Sequence, residues 1–214
     1  MATSDSPVRI VFDTSALLDL FGRWTADHKE RRGDLVREVH ILGPLRPYLF
    51  STQAILREVH DLMVIGTDLE RYLAFESVSE TELTECPGFL SAREADYSLT
   101  ALARRFELRG FRTFLVSKDR TLVRDLARAG LKTGMVPPTG FAEAITVITP
   151  QGSPSVALAH RIQNNAFVNL SREMRLVRQT RGEREYLDWQ EFLNSRTVAK
   201  HELIEALKTT GVRL

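Results

Sequence analysis

The chain has 214 residues, of which 43% are hydrophobic and 27% charged, and its formal net charge is +1. Such a chain can bury a sizeable core, either as one domain plus an extension or as two small domains. The near-neutral charge excludes a polycation, so binding of nucleic acid would have to come from a local basic patch.

The N-terminal part of the chain predicts strands that alternate with helices. Residues 8–13 are a continuous apolar run with β-branched side chains, which is typical of a strand buried on both faces. Thr14 or Ser15 could cap the helix that follows. Up to residue 79 the predicted elements are a strand at 8–13, helices at 15–21 and 33–42, a short strand at 48–50, a helix from 53 to about 65 after Ser51-Thr52, and a short helix and a strand within 68–79.

The alternation continues in the second half of the chain and then gives way to helices alone. The predicted elements there are a helix at 91–108, a strand at 111–117, a helix at 120–129, a strand at 131–136, and helices at 155–180, 184–194 and 198–209. Alternating strands and helices favour an α/β fold with a parallel sheet between helical layers. Breakers and small polar residues over 149–155 predict a boundary between a domain at 1–149 and a helical extension at 150–214.

Four acids occupy positions where a carboxylate needs a partner. Asp13 and Asp119 each end a predicted strand, and the carboxyl ends of strands face the crevice in which open α/β sheets bind ligands. Glu58 and Asp96 lie on or beside the apolar faces of two predicted helices. Four carboxylates that converge repel one another unless a divalent cation binds them, and Mg²⁺ or Mn²⁺ prefers such oxygen ligands.

Each of these acids also has a simpler interpretation when it is taken alone. Asp13 and Asp119 each precede a predicted helix and could act only as N-caps. Glu58 and Asp96 could be half-exposed residues at the edge of an apolar stripe. The simpler interpretations weaken when the four residues are considered together, because two strand ends and two inward helix faces can meet at one crevice.

Four segments of the chain resemble those of the PIN-domain nucleases, and together they cover roughly residues 8–145. The segments are VFDTSA at 11–16, STQAILRE at 51–58, AREADYSLTALA at 92–103 and FLVSKDRTL at 114–122. The resemblance implies a three-layer α/β/α fold with a parallel sheet of about four or five strands. It also implies an acidic pocket that holds Mg²⁺ or Mn²⁺ and hydrolyses phosphodiesters, usually in RNA.

The resemblance also assigns roles to individual residues. Asp13, Glu58, Asp96 and Asp119 would be the catalytic and metal-binding acids, with Thr14 or Ser15, and Ser117, as supporting polar residues. The family often has Thr where this chain has Ser117, and Asn where it has Lys118, and this lysine places a cation beside the pocket. Glu94 and Asp125 are the substitutes if the alignment is shifted by one helical turn.

The helical extension lies outside the resemblance and is more basic than the rest of the chain. Arg172, Arg175, Arg178 and Arg181 recur every third residue, so they cover an arc of a helix. We expect Lys118, Arg172, Arg175 and Arg178 to contact RNA, with a solvated helix face as the alternative. Tyr186, Trp189 and Phe192 are expected to pack, and the face with Leu203, Ile204 and Leu207 would suit a homodimer or a protein partner.

Two other enzyme or signalling classes and one non-enzyme class compete with this interpretation. Haloacid-dehalogenase-type phosphatases also begin with a strand-ending aspartate, but their second aspartate would fall at Ser15. Receiver-type signalling domains need adjacent acids after an early strand, and none is evident. The remaining alternative is a PIN-like RNA- or protein-binding module without turnover, in an RNA-processing or toxin–antitoxin-type complex.

Composition also bears on the metal and on the location of the protein. Cys86 is the single cysteine, which excludes an intrachain disulfide and a multi-cysteine zinc site. The polar start of the chain has no apolar signal segment. No apolar run approaches the ~20 residues needed to span a bilayer. We therefore expect a cytoplasmic protein that does not contact membranes.

Overall fold

The computed structural model describes residues 7–22, 29–86 and 94–214, and within these ranges five strands form one sheet. All neighbouring strands are parallel, and their order is β3-β2-β1-β4-β5. The strands are β1 (Val8–Phe12), β2 (Leu49–Thr52), β3 (Ala74–Glu76), β4 (Arg112–Val116) and β5 (Gly134–Val136). The predicted α/β class and parallel sheet are confirmed.

Helices flank this sheet. In the described part of the chain they are α1 (Thr14–Phe21), α2 (Arg32–His40), α3 (Gln53–Leu62), α4 (Gly66–Leu69), α5 (Glu80–Thr84), α6 (Glu94–Leu108), α7 (Arg120–Arg128), α8 (Pro138–Ile148), α9 (Ser155–Arg181), α10 (Glu183–Asn194) and α11 (Thr197–Thr209), with a 3-10 helix at Gly43–Tyr48. Thr52 caps α3 through a 3.4 Å bond from the backbone N–H of Ile55, as predicted. The predicted start of α6 at residue 91 lies outside the described residues.

Strand β1 lies at the centre of the sheet because it is apolar on both faces. Its consecutive residues Ile10, Val11 and Phe12 are all fully buried. Successive side chains of a strand point to opposite faces, so helices must cover the sheet on both sides. The chain proceeds from β1 to β2 on one side and later to β4 on the other, which opens a crevice at the carboxyl ends of β1 and β4.

Helix α8 was not predicted from the sequence, because Pro137-Pro138 was interpreted only as the end of the strand predicted at 131–136. Proline is well suited to the first position of a helix, since its missing N–H would have no partner there. Pro138 takes that position, and the helix buries Phe141 and Ile145 completely. The Phe141 ring meets that of Phe12 edge to face at a centroid distance of 4.9 Å. This helix therefore packs directly behind the central strand.

The helices after residue 149 share the hydrophobic core of the preceding part. Ile162 of α9 and Leu203 and Leu207 of α11 are fully buried in the same apolar cluster as β1 and α8. The observed bounds of α9, α10 and α11 differ from the predicted ones by no more than one residue. The face with Leu203, Ile204 and Leu207 was predicted to meet a partner. That prediction is wrong, because this face packs against the chain itself.

The structure also bears on the expectation that the chain does not contact membranes. None of the helices in the described ranges is both long and apolar enough to cross a bilayer.

A capping box and an arginine hold the short helix α5. The Glu82 carboxylate accepts a 2.9 Å bond from the Ser79 backbone N–H, and the Ser79 hydroxyl accepts a 3.3 Å bond from the Glu82 N–H. Arg105 of α6 donates two 2.6 Å bonds to the same carboxylate. The bonds from Arg105, with those from Ser79, lower the pKa of Glu82 from 4.5 to about 2.

We predict that Glu82→Gln lowers the free energy of unfolding by about 1 kcal/mol at neutral pH, because glutamine can keep the capping box but cannot form the ion pair with Arg105. Because the pKa of Glu82 is lower in the folded state, its stabilisation is fully present above pH 4.5 and is lost as the pH falls toward about 2. Denaturant titrations across this range should show the two proteins converging in acid. Glu80→Gln, a change at an exposed residue of the same helix, is the control and should alter stability by about 0.5 kcal/mol or less. A constant difference between wild type and Glu82→Gln at all pH values would contradict the prediction.

Candidate active site

A cleft of about 1040 Å³ opens at the carboxyl edge of the sheet. Asp13, Glu58, Asp96 and Asp119 all line it, although they come from four separate segments of the chain. Thr14, Ser15 and Lys118 line it as well, whereas Glu94 and Asp125 are not among its described lining residues. The structure therefore brings the four predicted acids to one cleft, and the two substitutes lie elsewhere.

Asp13 is the most deeply buried of the four acids, with 7% of its surface exposed. It directly follows β1 and caps α1, accepting a 3.4 Å bond from the Ser15 backbone N–H. The hydroxyls of Ser15 and Ser117 donate to its other oxygen at 2.6 and 2.7 Å. Burial raises the pKa of Asp13, the serine bonds oppose this rise, and the charge of Asp119 adds to it. Asp13 is thus both a helix cap and a buried carboxylate of the cleft.

Ser117 connects the ends of β1 and β4. Its buried hydroxyl donates to Asp13 and accepts a 3.0 Å bond from the backbone N–H of Asp119. Asp119 in turn caps α7, accepting a 2.6 Å bond from the Thr121 N–H. Ser15 and Ser117 therefore occupy the supporting positions assigned to them, and the capping interpretation of Asp119 holds together with its place in the cleft.

Glu58 and Asp96 reach the cleft from helices α3 and α6. Both side chains are half-buried, as expected for residues at the edge of an apolar stripe. The hydroxyl of Thr14 donates a hydrogen bond to the Glu58 carboxylate, which ties α3 to the start of α1. A buried 2.7 Å bond between the hydroxyls of Thr52 and Ser98 ties the beginning of α3 to α6. These bonds fix the two helices that carry Glu58 and Asp96.

The carboxylate oxygens of the cleft are the kind of ligand that a hard divalent cation prefers, but they are not arranged around one metal position. Within the described ranges, no group of three or more His, Cys, Asp or Glu side chains is arranged so that it could hold a metal ion. Mg²⁺ retains several waters and commonly binds through one or two carboxylates. Asp13 and Asp119 are close enough for the charge of Asp119 to raise the pKa of Asp13. The cleft therefore fits an ion held by one or two carboxylates and by water.

Lys118 was predicted to contact RNA, but its ammonium group already has two carboxylate partners. It donates a 2.7 Å bond to Asp19 of α1 and another bond to Glu173 of α9. Only 8% of the residue is exposed. Placed between two carboxylates, Lys118 connects α1, the β4–α7 loop and α9, and this placement does not favour a contact with phosphate.

The C-terminal helices supply the far wall of the cleft, which the sequence did not predict. Glu173, Val177 and Arg181 of α9 line it, as do Glu185 and Trp189 of α10. Four-residue spacing places the three α9 residues along one side of the helix. That spacing is the sequence signal that could have identified them.

The N-terminal part of α9 is anchored by two asparagines, Asn165 and Asn169. Asn165 donates to the Leu20 carbonyl at 3.3 Å and to the Glu38 carboxylate at 3.0 Å. Asn169 donates to the Asp19 carbonyl at 2.9 Å. These bonds to α1 and α2 hold α9 in a fixed register against the α/β part of the chain. The helix that forms the cleft wall is therefore attached to the rest of the fold.

The predicted RNA-binding arginines of the extension lie away from the cleft. Arg172, Arg175 and Arg178 are exposed, and none is among the described residues that line it. Arg178 forms a 2.5 Å ion pair with Glu183 and lies 5.3 Å from the centre of the Tyr186 ring. The prediction that these arginines contact RNA stays a prediction, and any such contact would lie outside the cleft.

Acidic residues outnumber basic residues in the lining of the cleft. Among the described residues that form it, seven are Asp or Glu and three are Lys or Arg. Such a surface repels a polyanion unless bound cations or basic side chains offset the charge. The cleft is thus suited to hold cations and to act on an anionic group brought to them.

Comparisons with known proteins assign no family to the chain. No family model matches it, and neither a curated protein nor a solved structure does so. No protein of known function therefore assigns a role to this cleft, and its chemistry has to be inferred from its own side chains.

Proposed function

We propose that the protein is a metal-dependent endoribonuclease that hydrolyses RNA phosphodiester bonds in this cleft. The observation that carries the proposal is the meeting of Asp13, Glu58, Asp96 and Asp119 on one cleft at the carboxyl ends of β1 and β4. Buried or half-buried carboxylates cost free energy unless they bind a partner, so such a group is a candidate functional site. The resemblance of the four surrounding segments to the PIN-domain nucleases gives the reaction its class.

The residues of the cleft have separate roles in this proposal. Asp13 and Asp119 would hold a Mg²⁺ or Mn²⁺ ion, and Glu58 and Asp96 would bind its waters. When bound, the ion polarises a phosphate and lowers the pKa of water. The hydroxyls of Ser15 and Ser117 orient Asp13, and Thr14 orients Glu58. One of the half-buried carboxylates accepts the proton of the attacking water.

One observation favours a second function, which is RNA or protein binding without turnover. Across the described residues, no three potential ligands are preassembled around a metal position. A PIN-like module of an RNA-processing or toxin–antitoxin-type complex would keep the fold and the cleft, but it would not need the metal. The two functions differ in whether a divalent ion binds and RNA is cut.

Thermal melting with and without Mn²⁺ tests the metal directly. A ligand at 100 times its Kd stabilises the folded state by about 2.7 kcal/mol, which should raise Tm by several degrees. We expect this rise for the wild type and expect it to be absent for Asp13→Asn. Incubation of the wild type with mixed RNA should give fragments in Mn²⁺ and none in EDTA.

The outcomes separate the two functions. RNA binding without a metal-induced rise in Tm and without cleavage would support the binding module and contradict the nuclease. Cleavage that is equal in Mn²⁺ and EDTA would contradict a metal-dependent mechanism. The absence of both RNA binding and cleavage would contradict the nuclease and the RNA-binding form of the second function.

A further inference from the structure

Three cations line the acidic cleft, and two of them are neutralised by ion pairs. Lys118 is held by Asp19 and Glu173, and Arg120 of α7 is paired with Glu185 of α10. In the part of the chain that the structure describes, the third cation, Arg181, takes part in no ion pair. Arg181 is therefore the cleft cation whose charge remains available to an anionic ligand.

The position of Arg181 suits a contact with a strand that enters the cleft. It is exposed, and it is the last residue of α9. It lies one turn beyond Val177 and two turns beyond Glu173, both of which line the same cleft. The bonds of Asn165 and Asn169 to α1 and α2, and the bond from Lys118 to Glu173, hold α9 against the α/β part of the chain.

Helix geometry sets Arg181 apart from the other arginines of α9. At about 100° per residue, the nine positions from Arg172 to Arg181 turn the helix by about half a revolution. Arg172 therefore lies on the opposite side of α9, although its charge and exposure are similar. The regular three-residue spacing of these arginines does not show that Arg172 and Arg181 lie on opposite sides of the helix.

We infer that Arg181 binds a phosphate of the RNA strand that lies in the cleft and so positions the scissile bond. The inference rests on the proposed nuclease function and assigns the substrate contact to a residue outside the α/β part of the chain. A guanidinium group can bind a phosphate through two parallel hydrogen bonds. Most of the charged residues that line the cleft are carboxylates. A cation among them offsets their repulsion of the RNA backbone.

The test compares matched arginine variants of the full-length chain. Affinity for a fluorescently labelled single-stranded oligoribonucleotide is measured by anisotropy, with Asp13→Asn in every protein to prevent cleavage. Arg181→Ala should weaken binding by about 10-fold or more, as expected for the loss of a charged hydrogen-bond partner. It should also reduce the slope of log affinity against log salt by about 0.7. Arg128→Ala, which removes an exposed arginine in the last turn of α7 outside the cleft, should leave binding within about two-fold of the parent.

A lysine variant separates charge from geometry. Arg181→Lys keeps the charge, so it should retain the salt slope of the parent while losing part of the affinity. In proteins with Asp13 intact, Arg181→Ala should raise KM for RNA about 10-fold and change kcat less. Circular dichroism melts should show that the arginine variants fold alike.

Each outcome of these measurements bears on the inference. Equal effects of Arg181→Ala and Arg128→Ala on affinity would overturn it, whether or not the wild type cleaves RNA. A specific loss on Arg181→Ala in a protein that binds but never cleaves RNA would support the contact and overturn the proposed hydrolysis. No measurable RNA binding by the parent would overturn both.

Discussion

Replacing Asp13 with asparagine should reduce metal-dependent RNA cleavage by at least about 100-fold, the scale of losing one group that stabilises a transition state. Asp13 is the acid that two serine hydroxyls and a backbone N–H orient, and it lies where β1 and β4 meet. Asparagine has nearly the same shape but lacks the negative charge that holds a divalent cation. Initial rates with one RNA in Mn²⁺ at a fixed pH measure the effect.

The Asp13→Asn variant should remain folded. Burial raises the pKa of Asp13 above 3.8, so the folded state binds its proton more tightly than the unfolded state does. The stabilisation from this group is therefore present below pH 3.8 and is lost as the pH rises through the raised pKa. At neutral pH the ionised carboxylate opposes folding, and we expect metal-free Asp13→Asn to be at least as stable as the wild type.

Asp61→Asn is the matched control for the loss of charge. Asp61 is an exposed residue of α3 that lines the same cleft, but it is not one of the four acids. Its replacement removes one negative charge from an exposed position of the cleft and should change the rate by only a few-fold, since exposed charges act weakly. Similar large losses in both variants would show that the overall field of the cleft, and not a specific role of Asp13, controls the rate.

Ile162→Ala should lower the free energy of unfolding by about 2–5 kcal/mol, although residue 162 lies in the segment that the sequence sets apart as an extension. Its side chain is fully buried in the same apolar cluster as β1 and α8, so truncation leaves a cavity in the common core. Leu176→Ala is the control, because Leu176 lies on the same helix with 57% of its surface exposed. That change should alter stability by about 0.5 kcal/mol or less. Guanidinium titrations followed by circular dichroism measure both values.

The shared core also predicts one cooperative unfolding transition. Fluorescence of Trp189 in α10, measured in a Trp24→Phe variant because the chain has a second tryptophan, and circular dichroism of all the helices and strands should give the same midpoint, as in two-state unfolding. Ile162→Ala should shift both signals together. Two separate midpoints, or a loss of stability confined to the fluorescence signal, would show that the C-terminal helices fold as an independent domain. Removing residues 155–214 would expose the apolar surface of α8, so we expect that truncation to unfold the protein.

Local patterns in the sequence predicted much of the fold, because their physical causes are local. The consecutive apolar residues Ile10, Val11 and Phe12 are explained by a strand buried on both faces, and β1 is such a strand. Thr52 and Asp119 cap α3 and α7, because short polar side chains satisfy the free N–H groups at helix starts. Pro138 did not reveal α8 in the sequence, because proline is common both after the end of a strand and at the first position of a helix.

Convergence of the four acids on one cleft followed from the predicted topology, whereas the partners of the cleft cations did not. Lys118 is 99 positions from Asp19 and 55 from Glu173 in sequence, and no periodicity relates them. Arg181 looks equivalent to Arg172 in the sequence, but of the two only Arg181 is among the described residues that line the cleft.

By itself, the sequence determined most of the strands and helices, although not α8, together with which faces are apolar and which acids follow the central strands. Only the tertiary structure decided that the last 60 or so residues complete the core and form the far wall of the cleft. The physical reason is that burial of apolar surface specifies that a face must be covered, but not what covers it. The rotation and register of α9 depend on hydrogen bonds to residues more than a hundred positions away and on the ion pair with Lys118, 55 positions away, and these form only when the chain has folded.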